Sequence, residues 1–175
     1  MEKKKLIQII IPICIVLAVA GIWMLKNVTP ESEAKDVTPS DEEDFRLEAA
    51  SIDLESLTSY GLPIIIDFGA DSCDPCKAMA PVLVTLNAEM QGKAIIKFVD
   101  VWKNSNAADD FPVQVIPTQV LILADGTPYV PSDTVEIRFE MYEYTDSGEH
   151  AFTVHQGGLT EEEMRAILLD MGVAE

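Results

Sequence analysis

Cys73-Asp74-Pro75-Cys76 sets two thiols three positions apart, between Asp71-Ser72 and Lys77. If this stretch opens a helix, the two sulfurs can close a disulfide without unwinding the backbone. The unpaired N–H groups at the helix start then favour a thiolate on the first sulfur. The same spacing serves equally as half of a zinc site or as an inert structural disulfide. His150 and His155 are the imidazoles available to complete a zinc set, but they lie far downstream. Residues five apart on one strand also point to opposite faces, which weakens that reading. Asp67 is a third candidate, because it interrupts the apolar run Ile64-Ile65-Ile66-Asp67-Phe68. A carboxylate in a buried strand is costly unless it is paired or does work.

These residues need elements to hold them. Apart from Asp67, Ile64 to Phe68 is an apolar run rich in β-branched residues, as expected of a strand covered on both faces. Before it, Leu54 and Leu57 mark a short helix over 53–60, halted by Gly61 and Pro63. After the cysteines, Met79, Val82, Leu83, Leu86 and Met90 recur at helical spacing, predicting an amphipathic helix over 74–91 with a kink at Pro81. Strands are expected over 94–101 and 118–123, separated by a short helix over 104–111, and the Asp125-Gly126 turn follows. Strand and helix alternate, so the core is α/β with parallel pairing at its centre. Val135 to Tyr144 alternates Val135, Ile137, Phe139 and Met141 with polar or amphipathic residues, predicting a half-exposed strand. Residues 145–149 supply a turn and 151–155 a returning strand. Thr160 and Glu163 form a capping-box pattern for a last helix, with Met164, Ile167, Leu168 and Met171 inward.

Composition bounds the partners. The chain has 175 residues, 48% apolar, enough for one cored domain with appendages. Acidic residues outnumber basic ones 30 to 12, for a net charge of −18, and such a surface repels phosphate backbones. No nucleic-acid partner is expected. There are three cysteines, and Cys14 sits in an apolar run remote from the pair, so no disulfide framework is implied. Lys3, Lys4 and Lys5 precede the uncharged run Leu6 to Leu25, long enough at helical rise to span a bilayer. The lysines favour a cytoplasmic N-terminus, with everything beyond Lys26 outside the cytoplasm. Cleavage after Ala18-Val19-Ala20, releasing a secreted protein, is the competing expectation. Ile22-Trp23-Met24-Leu25 continues the apolar run past it, so an uncleaved single-pass anchor is preferred. The expected organisation is an anchor over 1–26, an acidic proline-containing linker over 27–50, and a folded domain over 51–175 with an insertion at about 128–144.

The chain resembles the thioredoxin family over roughly Asp53 to Gly172. The residues that carry the likeness are the strand with Asp67, Cys73-x-x-Cys76-Lys77, Pro81, Ile116-Pro117-Thr118, Asp125-Gly126, and Gly157 before the last helix. Val115 to Gln119 and Thr153 to Thr160 also look like membrane-tethered bacterial members. The resemblance implies a central mixed sheet flanked by helices, extended here by a C-terminal β-hairpin region and preceded by the membrane helix. It implies a redox-active disulfide between Cys73, the attacking thiol, and Cys76, the resolving one, with Asp67 relaying the Cys76 proton. Pro117 would be cis, and Ile116 would offer backbone groups to an extended substrate. Protein disulfides are the implied substrates, a membrane electron donor the implied partner, and neither cofactor nor metal is called for. Two departures stand out. Ser72 replaces the family's aromatic residue before the first cysteine. Phe98 falls where many members carry a lysine near the buried aspartate, with Lys97 one residue off and so facing the other side of the sheet. Asp74, beside Cys73, opposes its thiolate, and the expectation is a reductase rather than an oxidase or isomerase. A non-catalytic protein-binding module using the same groove is the remaining alternative, and the two intact thiols, Cys73 and Cys76, argue against it.

Overall fold

The computed structural model describes residues 43–174, so the apolar run and most of the acidic stretch lie outside the described residues. Among these, no helix is long and apolar enough to cross a membrane. The chain runs α1 (Leu54–Thr58), β1 (Ile64–Gly69), α2 (Asp74–Glu89), β2 (Ile95–Asp100), a 3-10 turn (Ser105–Ala108), β3 (Thr118–Ile122), β4 (Glu140–Glu143), β5 (His150–Gln156) and α3 (Glu161–Asp170). The strands form one sheet in the order β2-β1-β3-β5-β4.

Among the five strands parallel pairing is confined to β1 and β2, while β3 runs antiparallel to both β1 and β5. The reason lies in the connections. A parallel pair needs a crossover, which α2 supplies between β1 and β2. Between β2 and β3 the chain makes only a 3-10 turn and the Ile116–Pro117 cis peptide, and it enters β3 in the opposite direction. β1 is buried along its whole length, Ile64 to Gly69. One face of the sheet packs Ile65, Ile96 and Leu121 against Met79, Leu83 and Leu86 of α2 and Met164, Ile167 and Leu168 of α3. The opposite face packs Ile64, Ile66, Phe68, Val99 and Val120 against Leu57 and Phe111.

Helix ends follow the sequence. Asp53 caps α1 by accepting from Ser56 N at 3.0 Å. The capping box of α3 is complete, with Thr160 Oγ1 accepting from Glu163 N and Glu163 Oε2 accepting from Thr160 N. Pro81 lies inside α2, which continues through it to Glu89.

Two expectations change. Val135 to Tyr144 is not one strand, since only Glu140–Glu143 joins the ladder. Val135, Ile137 and Phe139 pack on the α2/α3 face as their alternation requires, whereas Met141 is exposed. The alternation was satisfied by packing without main-chain pairing. The preceding stretch is pinned instead by Asp170 of α3, which accepts from Tyr129 Oη and from the Ser132 amide and hydroxyl. Residues 43–49 also pack on the domain rather than extending from it. Phe98 N donates to Leu47 O at 2.7 Å and Ala49 N to Phe98 O at 2.9 Å, adding this segment beside β2. Phe45 and Ala49 cover one face and Leu47 the other.

Candidate active site

The site is assembled where β1 ends and α2 begins. β1 runs out at Gly69, and four residues later Cys73 takes extended geometry as the N-cap of α2. Pro75 within the first turn removes an N–H that would be unpaired there anyway. Cys76, one turn in, is buried, while Cys73 is partly exposed. The two sulfurs are joined in a disulfide, and Cys73 Sγ also accepts from Cys76 N at 3.3 Å. Ile116 O lies 3.9 Å from Cys73 Sγ. It immediately precedes the buried, cis Pro117. Gly157 N donates to Pro117 O at 2.9 Å, tying the end of β5 to the same corner.

Around the cysteines the surface charges are paired. Lys77 Nζ meets Asp74 Oδ1 at 3.2 Å, both side chains exposed, and Lys103 pairs with Asp71. Asp100 organises the loop beneath, its carboxylate accepting from the backbone amides of Asp71, Trp102 and Lys103. Its carboxyl is held below the ordinary value despite burial, because those amides and Lys103 favour the ionised form. A 230 Å³ cavity opens beside Cys76, lined also by Ala70, Lys77, Leu83, Phe98 and Leu47. A wider groove of 430 Å³ lies on the other side, between Pro75 and Met79 of α2 and the Gly158-Leu159 turn.

Asp67 is fully buried, and burial pushes its carboxyl up from 3.8 to about 7. The side chain of Gln119 offsets part of this by donating Nε2–H to Asp67 Oδ1 at 2.6 Å. Among the described residues, Asp67 Oδ2 has no hydrogen-bond partner. It lies on the Cys76 side. A Cβ placed on Gly69 would stand 3.3 Å from Asp67 Oδ2, 3.3 Å from Cys76 Sγ and 2.9 Å from the Phe98 ring. Glycine therefore keeps open the small space shared by carboxyl and sulfur. Phe98 is the direct β2 partner of Asp67, and Lys97, the partner of Ile66, donates to Glu43 O and Arg46 O at 2.9 and 2.8 Å. Lys97 therefore faces the side of the sheet opposite Asp67, as alternation along β2 requires.

Cys73, Cys76, Asp67, Ile116 and Pro117 are thus gathered at one corner. The imidazoles of His150 and His155 bond to other groups: His150 Nε2 meets Thr153 Oγ1 and Phe152 O, and His155 Nδ1 lies 2.9 Å from Arg138 O. Two site residues were not anticipated, Gln119 and Gly69. A polar side chain at the head of the apolar run Val120-Leu121-Ile122 was the available signal for Gln119, but its register against Asp67 was not legible without the β1/β3 pairing.

Comparison with known proteins settles the family. A thioredoxin family model matches residues 54–138. Thioredoxin of Staphylococcus aureus (strain Mu50 / ATCC 700699) is 41% identical over 76 residues, 43% of this chain and 71% of the relative. The chain belongs to the thioredoxin family. With its Cys73–Cys76 pair at disulfide distance it is a thiol–disulfide oxidoreductase. Among solved structures, Fasciola hepatica thioredoxin covers 71% of this chain and 97% of its own at 26% identity and a TM-score of 0.48. Chloroplastic thioredoxin z covers 73% and 95% at 20% identity and a TM-score of 0.49. The family match ends at residue 138, before β4, β5 and α3 of this member of the family.

Proposed function

We propose that this protein is a membrane-anchored oxidoreductase whose folded domain works outside the cytoplasm, reducing protein disulfides with the Cys73–Cys76 dithiol. The observation that carries the chemistry is the asymmetry of the pair. Cys73 Sγ is at the surface beside Ile116 O, and Cys76 Sγ is behind it, sharing a space with the unpartnered Asp67 Oδ2. In the reduced protein the Cys73 thiolate attacks one sulfur of a substrate disulfide, forming a mixed disulfide and releasing the first substrate thiolate. Ile116 O and the turn at Pro117 offer main-chain groups to an extended segment bearing that disulfide. Cys76 then gives its proton to Asp67, and its thiolate attacks Cys73 Sγ, breaking the mixed bond and releasing the second substrate thiolate. Two electrons have passed to the substrate, and Cys73–Cys76 is left as a disulfide.

A carboxyl near 7 is suited to this exchange, because at neutral pH it is close to half ionised and can take or return a proton. The reducing direction is supported by Asp74, whose charge next to Cys73 opposes the thiolate that a strongly oxidising site must stabilise. Its surface pair with Lys77 is solvent-screened and offsets little of that. The location rests on Lys3, Lys4, Lys5 and the uncharged run Leu6 to Leu25. A reductase so placed has to be recharged, and a membrane protein passing electrons across the bilayer is the partner that fits.

The reduction potential of Cys73–Cys76 tests the direction. A value near that of reducing thioredoxins, about −270 mV, is expected, and one near about −120 mV, typical of thiol oxidases, overturns it. Labelling of reduced Cys73 by a membrane-impermeant thiol reagent in intact expressing cells tests the location. Labelling only after lysis overturns the extracytoplasmic assignment.

A further inference from the structure

Asp67 has two carboxyl oxygens, and the fold treats them differently. Antiparallel pairing of β1 with β3 sets Gln119 directly opposite Asp67. Gln119 is fully buried, and its amide orientation is fixed by what surrounds the nitrogen: Asp67 Oδ1 at 2.6 Å and Met79 Sδ at 3.5 Å. With Asp67 ionised, turning the amide over would set its oxygen, which donates nothing, against the carboxylate. Oδ1 is therefore occupied. Oδ2 has no hydrogen-bond partner among the described residues and borders, with Cys76 Sγ, the space left by Gly69.

We propose that Gln119 is a positioning residue for the thiol exchange, holding Asp67 by Oδ1 so that Oδ2 is the atom that receives the Cys76 proton. The inference rests on the reading of Asp67 as the proton partner of Cys76. In the step, the Cys76 S–H bond breaks, its proton forms an O–H bond at Oδ2, and the sulfur keeps the electron pair with which it attacks Cys73 Sγ. Gln119 exchanges no proton. Its donated hydrogen bond stabilises the carboxylate and fixes its rotation.

An amide has this influence because cations are kept away. On β1 the neighbours of Asp67 are Ile66 and Phe68, and on β2 it faces Phe98, while Lys97 is bound on the opposite face to Glu43 O and Arg46 O. From α2 the nearby groups are Cys76 and Met79, with Lys77 committed to Asp74 at the surface. Asp71, Glu48 and Lys77 lie on the rim of the cavity that Cys76 and Phe98 line. On β5, His155 is the register partner of Gln119 but turns Nδ1 to Arg138 O, and from α3 Glu163 is engaged in its capping box. Gln119 is the polar side chain that bonds the Asp67 carboxyl.

The test uses the full chain in detergent and two readouts. The first is the titration of the Asp67 carboxyl carbon by NMR, identified by its loss in Asp67→Asn. The second is the pH profile of Cys76 alkylation in the reduced chain carrying Cys73→Ser, located by peptide mass. Gln119→Leu, with the unbranched Gln119→Met as a second variant should the first fold poorly, is expected to raise the Asp67 midpoint by about one pH unit and to move the Cys76 profile with it. A purely structural role would lower thermal stability and leave both midpoints in place, which overturns the proposal. A shifted Asp67 midpoint with an unmoved Cys76 profile overturns instead the reading beneath it, since Asp67 would then not be the proton partner.

Discussion

Replacing Asp67 by Asn should stabilise the oxidised protein in a pH-dependent way, and the size follows from the burial of the carboxyl. Moving this group from 3.8 to about 7 favours its protonated form by some three powers of ten. At about 1.4 kcal/mol for each, that is roughly 4 kcal/mol, an upper figure because local relaxation and water entry reduce it. The sign is set by proton counts. Between about pH 4 and pH 7 the folded protein holds a proton on Asp67 that the unfolded chain has released, so stability falls as pH rises through this window. Above about pH 7 the full penalty is present. Asn has nearly the same shape, its Oδ1 can still accept from Gln119 Nε2, and it does not ionise. The variant's advantage should therefore be near zero at about pH 4 and grow to several kcal/mol by about pH 8. Urea unfolding of parent and variant across that range, compared at equal m-value, measures it, and every other titrating group cancels in the difference. A stability difference that stays flat with pH would refute the assignment of a raised carboxyl to this position.

Three other substitutions probe the same corner. Cys76→Ser should accumulate mixed disulfides with substrate proteins on non-reducing gels, whereas Cys73→Ser should accumulate almost none, because Cys76 is buried and Cys73, partly exposed, is the thiol open to the first attack. Gly69→Ala puts a methyl 2.9 Å from the Phe98 ring and 3.3 Å from both Asp67 Oδ2 and Cys76 Sγ. It should lower stability by about 1–3 kcal/mol, read by thermal unfolding, and slow resolution of the mixed disulfide. Phe98→Lys sets an ammonium in the register position opposite Asp67 and should bring the carboxyl midpoint down from about 7 by one pH unit or more, measured on the Asp67 carboxyl resonance.

Much of this site could be read from residue types because its elements have strong local causes. The run Ile64 to Phe68 is buried throughout, and Asp67 within it is the costly carboxyl its neighbours implied. The thiol spacing at a helix start marked the first sulfur as the one favoured as a thiolate, the resemblance made it the attacking one, and Thr160 with Glu163 located the last helix by its cap. What escaped depends on pairings distant in sequence. Gln119 is an ordinary strand residue until the β1/β3 register sets it against Asp67. Val135, Ile137 and Phe139 alternate as a strand would, yet periodicity reports which side chains face a core and not whether the backbone pairs. Acidic residues over 41–44 obscured Phe45, Leu47 and Ala49, whose alternate packing on the two faces needed the free edge of β2 as a partner.

The Lys97-Phe98 order joins two of these features through strand parity. Side chains on a strand alternate faces, so a lysine at 97 and a phenylalanine at 98 decide both what meets Asp67 and what meets the chain arriving from the N-terminus. Lys97 is buried, and desolvation lowers its ammonium from the ordinary value, opposed by the carboxylates of Asp44 and Glu43. It is tolerated there because Nζ donates to Glu43 O and Arg46 O, which fastens residues 43–46 against the sheet. The same placement leaves Asp67 facing an aromatic ring, with Gln119 as its hydrogen-bond donor. Exchanging the two residues would undo both arrangements together. The carboxyl would gain a cation and titrate lower, and the 43–46 carbonyls would lose their donor and loosen from β2. Fixing the incoming chain and keeping a half-ionised acid beside Cys76 are, in this fold, consequences of one choice of residue order.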